Sequence, residues 1–195
     1  MESKKPYPAQ NKTAVNIQRM AAACIMAAIT CVVAPLSVPL PVSEVPVSFT
    51  QLVIYFSALI LGMKSATLSY LLYLLLGAAG LPVFSGFQGG LHKLAGPTGG
   101  YLIAFILLAA VCGFAAQRWP GKRLPFSIAA LCGLAIVYAA GTLWYASLTG
   151  IPLGATLLTA VVPFLPADIA KIILAVTCGF PLKKILNKAG VLPAA

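Results

Sequence analysis

The chain has 195 residues, of which 61% are apolar and 8% charged, and its mean hydropathy is +0.98. Soluble domains carry roughly a quarter charged residues, so the composition excludes an ordinary soluble protein and identifies an integral membrane protein. At ~20 residues per helical span plus connections, the length suits one membrane domain of about six helices. The formal charge of +10, from 13 Lys and Arg against the acids Glu2, Glu44 and Asp168, would suggest nucleic-acid binding in a soluble protein. In a membrane protein it is first a record of topology.

Residues 1–13, with Glu2, Lys4, Lys5, Lys12 and two prolines, read as a polar cytoplasmic tail. A first apolar run from Val15 to Ala34 follows. A signal peptide is the competing reading, but Val32-Val33-Ala34-Pro35 lacks the small-x-small cleavage pattern, which favours an uncleaved helix. Four prolines between Pro35 and Pro46 exclude a helix and predict an external loop, extended or with a short strand. Runs from Ser48 to Gly62 and from Ser65 to Ala79 are joined by a tight turn carrying Lys64.

Seven glycines and two prolines between Gly80 and Gly100 exclude a span there, while Leu81, Val83, Phe84, Phe87, Leu91 and Leu94 predict a loop folded back over the bundle. The fourth and fifth runs, Tyr101 to Ala116 and Phe126 to Leu148, flank a basic turn with Trp119 at the interface. The sixth is expected from Thr156 to Gly179 after a connector from Thr149 to Ala155, and residues 182–195 form a basic amphipathic tail. The domain organisation is thus a tail over 1–13, a six-helix membrane domain over 14–181 and a tail over 182–195.

With both termini cytoplasmic, Lys4, Lys5, Lys12, Arg19, Lys64, Arg118, Lys122, Arg123, Lys183, Lys184 and Lys188 fall on the inner side and only Lys93 outside. That bias satisfies the positive-inside rule. The remaining basic residue, Lys171, lies in the interior of the sixth span, near Asp168.

An Asp or Lys near the centre of a spanning helix costs about 2.5–3.5 kcal/mol on the insertion scale. Asp168 and Lys171, three apart, share a helix face and partly neutralise each other. One reading is an internal salt bridge that tolerates its own burial. The other is a polar anchor in an apolar cavity, suited to a ligand that presents both N–H donors and a carbonyl, such as a cyclic urea or amide. A proton relay needs further ionisable stations, and the spans contain none.

The loops supply further candidates. Ser85 and Gln88 can hydrogen-bond, Phe84 and Phe87 can form apolar walls, and Gly86, Gly89 and Gly90 either permit backbone approach to a ligand or simply make turns. Ser48, Thr50 and Gln51 line the entrance to the second run. Trp144 and Tyr145 fit an interfacial belt better than a ligand platform. His92 and Lys93 read as a solvated pair, although a ligand carboxylate projecting outward would meet Lys93. In the first run Arg19, Ala23, Ala27 and Cys31 fall at i+4 intervals, either for packing within the bundle or as a docking face for a separate membrane subunit. The five cysteines are isolated in apolar runs and read as small core residues.

No P-loop, metal-binding cluster or nucleophile–His–acid set is present in the sequence, so a binding or transport subunit is expected rather than an enzyme, with no cofactor.

The segment YLLLGAAGLPVFSGFQGG followed by AGPTGGYLIAF, from Tyr73 to Phe105, resembles the signature of the BioY family, the biotin-binding S components of energy-coupling factor (ECF) transporters. Pro166 to Lys171 is similar to that family's P-x-D-x-x-K, and Val45 to Leu52 matches its second-span entrance more loosely, with Ser48-Phe49-Thr50-Gln51 where the family has T-L-Q-T. The resemblance implies six helices, an outward-facing biotin site, a membrane T subunit and two ATP-binding cassette ATPase subunits as partners, and a bacterial plasma membrane location. It also implies that Asp168 and Lys171 hold the ureido ring with help from within Ser85 to Gln88, that Ala23 and Ala27 dock the T subunit, and that release follows toppling of the S component on the ATP-driven module. A self-sufficient biotin uniporter is the alternative within the family. A membrane enzyme or purely structural subunit is the alternative outside it.

Overall fold

A computed structural model describes residues 12–40 and 43–189; for 12–15, 39–40 and 43–46 it describes the backbone alone. Glu2, Lys4, Lys5 and most of the expected N-terminal tail lie outside the described residues, as do residues 190–195. The architecture is helical with one two-stranded hairpin: α1 (Lys12–Val33), β1 (Ser37–Leu40), β2 (Ser43–Ser48), α2 (Thr50–Leu61), α3 (Met63–Ala78), α4 (Leu91–Ala95), α5 (Gly99–Arg118), α6 (Arg123–Thr149), α7 (Leu153–Ala160) and α8 (Leu165–Lys188).

The proline-rich segment forms an antiparallel ribbon in which Ser37 pairs with Ser48, Val38 with Val47 and Leu40 with Ser43, with an irregularity between Val38 and Leu40. Pro39 occupies that irregular stretch, where a missing N–H is tolerated. Gly62 alone separates α2 from α3. Its φ of +77° and ψ of −176° suit glycine, and a Cβ there would overlap the Gln117 side chain at the end of α5.

Helix α5 is the centre of the bundle and packs on α2, α3 and α6. Its buried face carries Tyr101, Leu102 and Leu108 among the small residues Gly99, Gly100, Ala104, Ala109, Cys112, Gly113, Ala115 and Ala116, which let neighbouring backbones come close. A Cβ on Gly113 would meet the Met63 backbone, so α5 lies directly against the α2–α3 turn. By contrast α1 is peripheral, and α8 packs on α2 and α6. Cys112 is buried, whereas Cys24, Cys132 and Cys178 are exposed on helix surfaces, so the expectation of five core cysteines holds only in part.

These contacts define two ends. Gly62 meets Gln117, Phe126 meets Phe180, and Gly179 lies against Leu59 and Phe56, which gathers Lys64, Arg118, Lys122, Arg123, Lys183 and Lys184 at one end. The hairpin and glycine-rich loop cap the other, where the Gly86 N–H donates to the Pro35 carbonyl at 3.1 Å. Helices α1, α2, α3, α5, α6 and α8 alternate in direction between the two.

The molecule exposes large apolar side chains along its helices, among them Ile17, Leu75, Phe114, Leu131, Leu143 and Ile173, while its polar cluster is inside. That inversion suits a hydrocarbon surround. Three described helices, α1, α5 and α6, are long and apolar enough to cross a membrane, or four if α7 and α8 count as one broken span. At 1.5 Å per residue α2 is only about 18 Å long, short of the ~30 Å hydrocarbon core.

The expected continuous sixth helix is instead broken. Helices α7 and α8 are bent by 52° at residues 161–164. Pro163 and Pro166 explain the break: a proline is accommodated in the first turn of a helix and not inside it, so α8 restarts at Leu165 with Pro166 in its first turn. Helix α8 then runs through Pro181 to Lys188, so the segment expected as a tail from 182 continues the last helix to that point.

Ala23 and Ala27 are 1% and 3% exposed. They face into the bundle, where α1 packs on α2 and α3, and do not present an outward docking face. The small residues that α1 turns outward are Ala21, Cys24 and Ala28.

Three substitutions test this packing by thermal unfolding of the detergent-solubilised chain. Gly62→Ala should lose about 1–3 kcal/mol from its disfavoured backbone conformation, and Ala23→Leu about 1–3 kcal/mol by overpacking. Gly154→Ala, in a helix with nothing within 4 Å of the added carbon, should be neutral or slightly stabilising. Equal midpoints for all three would refute the described packing.

Candidate functional site

The break before α8 decides the position of the charged pair. Asp168 lies in the first turn of α8, where the helix macrodipole favours a carboxylate. Lys171 is one turn further along, and its Nζ donates to Asp168 Oδ1 at 2.8 Å. Both residues are buried, at 5% and 8% exposure.

Three other elements complete the cluster. The Tyr138 hydroxyl, from α6, donates to Asp168 Oδ2 at 2.6 Å. Lys171 Nζ also donates to the Ser48 carbonyl at 2.8 Å, which ties α8 to the end of the hairpin. Gln51, on α2, fits with its amide nitrogen donating to Asp168 Oδ1 at 3.0 Å and its oxygen accepting from the Tyr55 hydroxyl at 2.9 Å. The opposite orientation would set the amide oxygen against the carboxylate oxygens. A buried ion pair is tolerated when further hydrogen bonds satisfy its remaining lone pairs and protons, and here α2, α6 and the hairpin supply them.

This cluster forms one wall of a cavity with about 690 Å³ of non-atom space, its open mouth included. Phe84, Tyr101, Leu102, Phe105, Val137 and Phe164 contribute apolar surface, while Ser48, Gln51, Ser85, Lys93, Thr98 and Tyr138 join the charged pair as polar groups. A mostly apolar chamber with a few convergent hydrogen-bonding groups is the usual form of a small-molecule site.

Of the residues expected from the sequence, Asp168, Lys171, Phe84 and Ser85 line the cavity, and so do Ser48 and Gln51 from the second-run entrance. Phe84 is fully buried. Its ring packs edge-on against Tyr73 and over Gly77, where a Cβ would overlap it. The rest of the loop motif is scaffold. The N–H of Phe84 donates to the Gln88 carbonyl at 2.8 Å, closing a tight turn that leaves the Gln88 and Phe87 side chains exposed, and Phe87 has a φ of +57°. Gly86 holds the loop to Pro35, and the Gly90 N–H donates to the Gly77 carbonyl at 2.7 Å. A Cβ on Gly89 would overlap the Leu81 carbonyl. Gln88, Phe87, Gly86, Gly89 and Gly90 therefore shape the lid and are not part of the cavity wall.

Thr50 caps the hairpin through Ser48, its hydroxyl 2.6 Å from the Ser48 hydroxyl. Trp144 is more than a belt residue: its Nε1–H donates to the Gly96 carbonyl at 3.0 Å and its side chain lies against Gly100, which pins the turn into α5. Tyr138, Tyr101 and Thr98 were not singled out from the sequence. For Tyr138 the signal was weak, a hydroxyl inside the otherwise apolar run Ala135-Ile136-Val137-Tyr138-Ala139, and Thr98 lies in the loop stretch Gly96-Pro97-Thr98-Gly99-Gly100. Among the described residues no group of His, Cys, Asp and Glu could hold a metal ion.

Comparisons with known proteins agree with this geometry. The chain is 39% identical over 111 residues to a probable biotin transporter BioY of Pyrococcus horikoshii, an alignment that covers 57% of this chain and spans 64% of the relative's length. It is 38% identical over 125 residues to the biotin transporter BioY of Thermotoga maritima, covering 64% of this chain and 73% of that one. Among solved structures, the S-component for biotin from an ECF-type ABC transporter superposes with a TM-score of 0.82 at 28% identity, covering 90% of this chain and 95% of that one. The profile of the BioY family matches residues 8–188, and the chain accordingly belongs to the BioY family.

Proposed function

We propose that this protein is the substrate-binding S component of a biotin transporter, taking biotin from the outside and delivering it inward with an ATP-driven ECF module. The single observation that carries the reading is the buried Asp168–Lys171 pair at the wall of an apolar cavity. An ammonium has three donors. Lys171 uses one on Asp168 and one on Ser48, which leaves one for a ligand carbonyl. An ionised carboxylate offers about four lone-pair positions. Asp168 Oδ1 receives Lys171 and Gln51, while Oδ2 receives Tyr138 and keeps room for a further N–H. A cyclic urea, with its carbonyl flanked by N–H groups, matches that unsatisfied pair.

In this reading Ser85 is the loop contribution to the ureido ring, because it faces the cavity and Gln88 does not. The aromatic and aliphatic walls take the bicyclic ring. The hairpin and the glycine-rich loop close the outer end, and the bond from Gly86 to Pro35 makes them move as one lid. Six crossings, with both termini cytoplasmic in a bacterial plasma membrane, fit the alternation of the helices and the gathering of basic side chains at one end.

The chain carries no nucleotide-binding motif, so energy for release would come from partners, a membrane T subunit with two ATP-binding cassette subunits. With Ala23 and Ala27 buried, the outward stripe of Ala21, Cys24 and Ala28 is the face of α1 that permits close approach of a partner helix.

Calorimetric titration of the purified chain tests the site. Asp168→Asn and Lys171→Met should each weaken biotin binding by about 2 kcal/mol or more, since each leaves a buried partner unpaired; unchanged affinity in both would reject it. Ala21→Leu combined with Ala28→Leu should preserve biotin binding while abolishing uptake into vesicles that hold the ATPase module. Equal uptake by vesicles with and without the module would instead establish a self-sufficient uniporter.

A further inference from the structure

At the basic end of the bundle the cations are not spread evenly. The rings of Phe126 and Phe180 meet edge-on with centroids 5.9 Å apart, which holds the start of α6 beside the last part of α8. Arg123 is three residues before Phe126 and Lys183 three after Phe180, so each lies on the helix face that carries the ring contact, one turn nearer the end. Lys184 follows Lys183 in sequence. Arg118 and Lys122 adjoin from the other side, because α5 ends at Arg118 and the Lys122 N–H closes the turn on the Trp119 carbonyl at 3.2 Å. Two distant stretches of chain thus bring five cations to one corner.

Among the described side chains no carboxylate balances them, since Asp168 is held in the cavity at the opposite end of α8. Arg118 lies over the Trp119 ring, 5.7 Å from its centroid, and that ring meets Phe114 edge-on at 6.4 Å. Lys183 is half-buried, and the other four cations are exposed. Like charges held together repel. Orientation asks only that cations lie on one side of the membrane, not that they converge on a corner.

The neighbouring apolar side chains identify the missing anion. Leu124, next to Arg123, is 72% exposed, and Ile185, next to Lys184, is 62% exposed. Phe114 and Leu182 are exposed beside Arg118 and Lys183. Cations bordering an open apolar surface match a molecule with a phosphate at one end and hydrocarbon at the other. A free phosphate uses only the first half of that pattern, and an acidic protein surface offers nothing to Leu124 and Ile185. We propose that the α5–α6 turn and the end of α8 form a binding corner for an anionic phospholipid, with its phosphate between Arg123 and Lys183 and its acyl chains along Leu124 and Ile185. The corner is separate from the biotin site and does not depend on that reading. A lipid seated there ties α6 to α8, the helices that carry Tyr138 and Asp168, and stabilises the bundle by mass action.

Thermal unfolding of the full chain in a neutral detergent, with phosphatidylglycerol, phosphatidylcholine or inorganic phosphate added, tests this. Phosphatidylglycerol should raise the midpoint by about 3 °C or more, and the other two should not. Arg123→Gln combined with Lys183→Gln should abolish that rise without lowering the midpoint in detergent alone. The charge-preserving pair Arg123→Lys with Lys183→Arg should keep it, and so should Lys64→Gln at the α2–α3 turn. Equal responses to the two lipids would overturn the proposal. So would an equal loss in Lys64→Gln, the mark of a diffuse attraction to the whole basic end, or a rise with inorganic phosphate as large as that with lipid, the mark of a free-anion site. An undiminished lipid response in the Gln pair, together with lost uptake into vesicles that hold the ATPase module, would overturn it in favour of an acidic partner subunit.

Discussion

A lysine and a carboxylate buried together in an apolar bundle constrain everything around them. Each would be expensive alone, and together they are tolerated only because each remaining lone pair and proton is met or faces a cavity. Asp168 is met by Tyr138 from α6 and Gln51 from α2, and Lys171 by the Ser48 carbonyl at the end of the hairpin. One ion pair thereby sets the mutual position of three helices and a loop. The same pair stands at the wall of the cavity.

Two local devices make this placement possible. Prolines 163 and 166 stop one helix and start another, so Asp168 sits in a first turn, where the helix dipole helps to hold its negative charge. The small residues along α5 allow α2, α3 and α6 to approach closely enough for side chains on different helices to share one carboxylate. Bulkier residues along α5 would separate the helices and leave the pair underpartnered.

The lid depends on a different kind of contact. Phe84 anchors the glycine-rich loop by filling the space over Gly77 against Tyr73, and backbone hydrogen bonds from Gly86 and Gly90 fasten it to the hairpin and to α3. The loop's glycines serve turns and close backbone contacts, while Phe84 and Ser85 are the loop residues that line the cavity. Trp144 pins the turn before α5, where Thr98 lines the same cavity. The chamber is thus walled by helices and roofed by segments joined through backbone bonds.

Much of this was legible from residue types alone. An apolar composition marks a membrane protein built of apolar helices, because charge is costly in hydrocarbon wherever it is not needed. The same argument singles out Asp168 and Lys171, and the density of glycine and proline marks the two loops. Periodicity on one helix, however, does not say which face meets a neighbour, so Ala23 and Ala27 look outward in sequence and are buried in the bundle. A hydroxyl in an apolar run has no signature until another helix brings an acceptor to it, which is why Tyr138 emerges only with the fold. Sequence by itself determined the medium, the loops and the charged pair, since those follow from the transfer energies of individual residues. Tertiary structure decided the broken last helix, the partners of the pair and the division of the loop residues between scaffold and cavity wall, since those depend on distances between segments far apart in the chain.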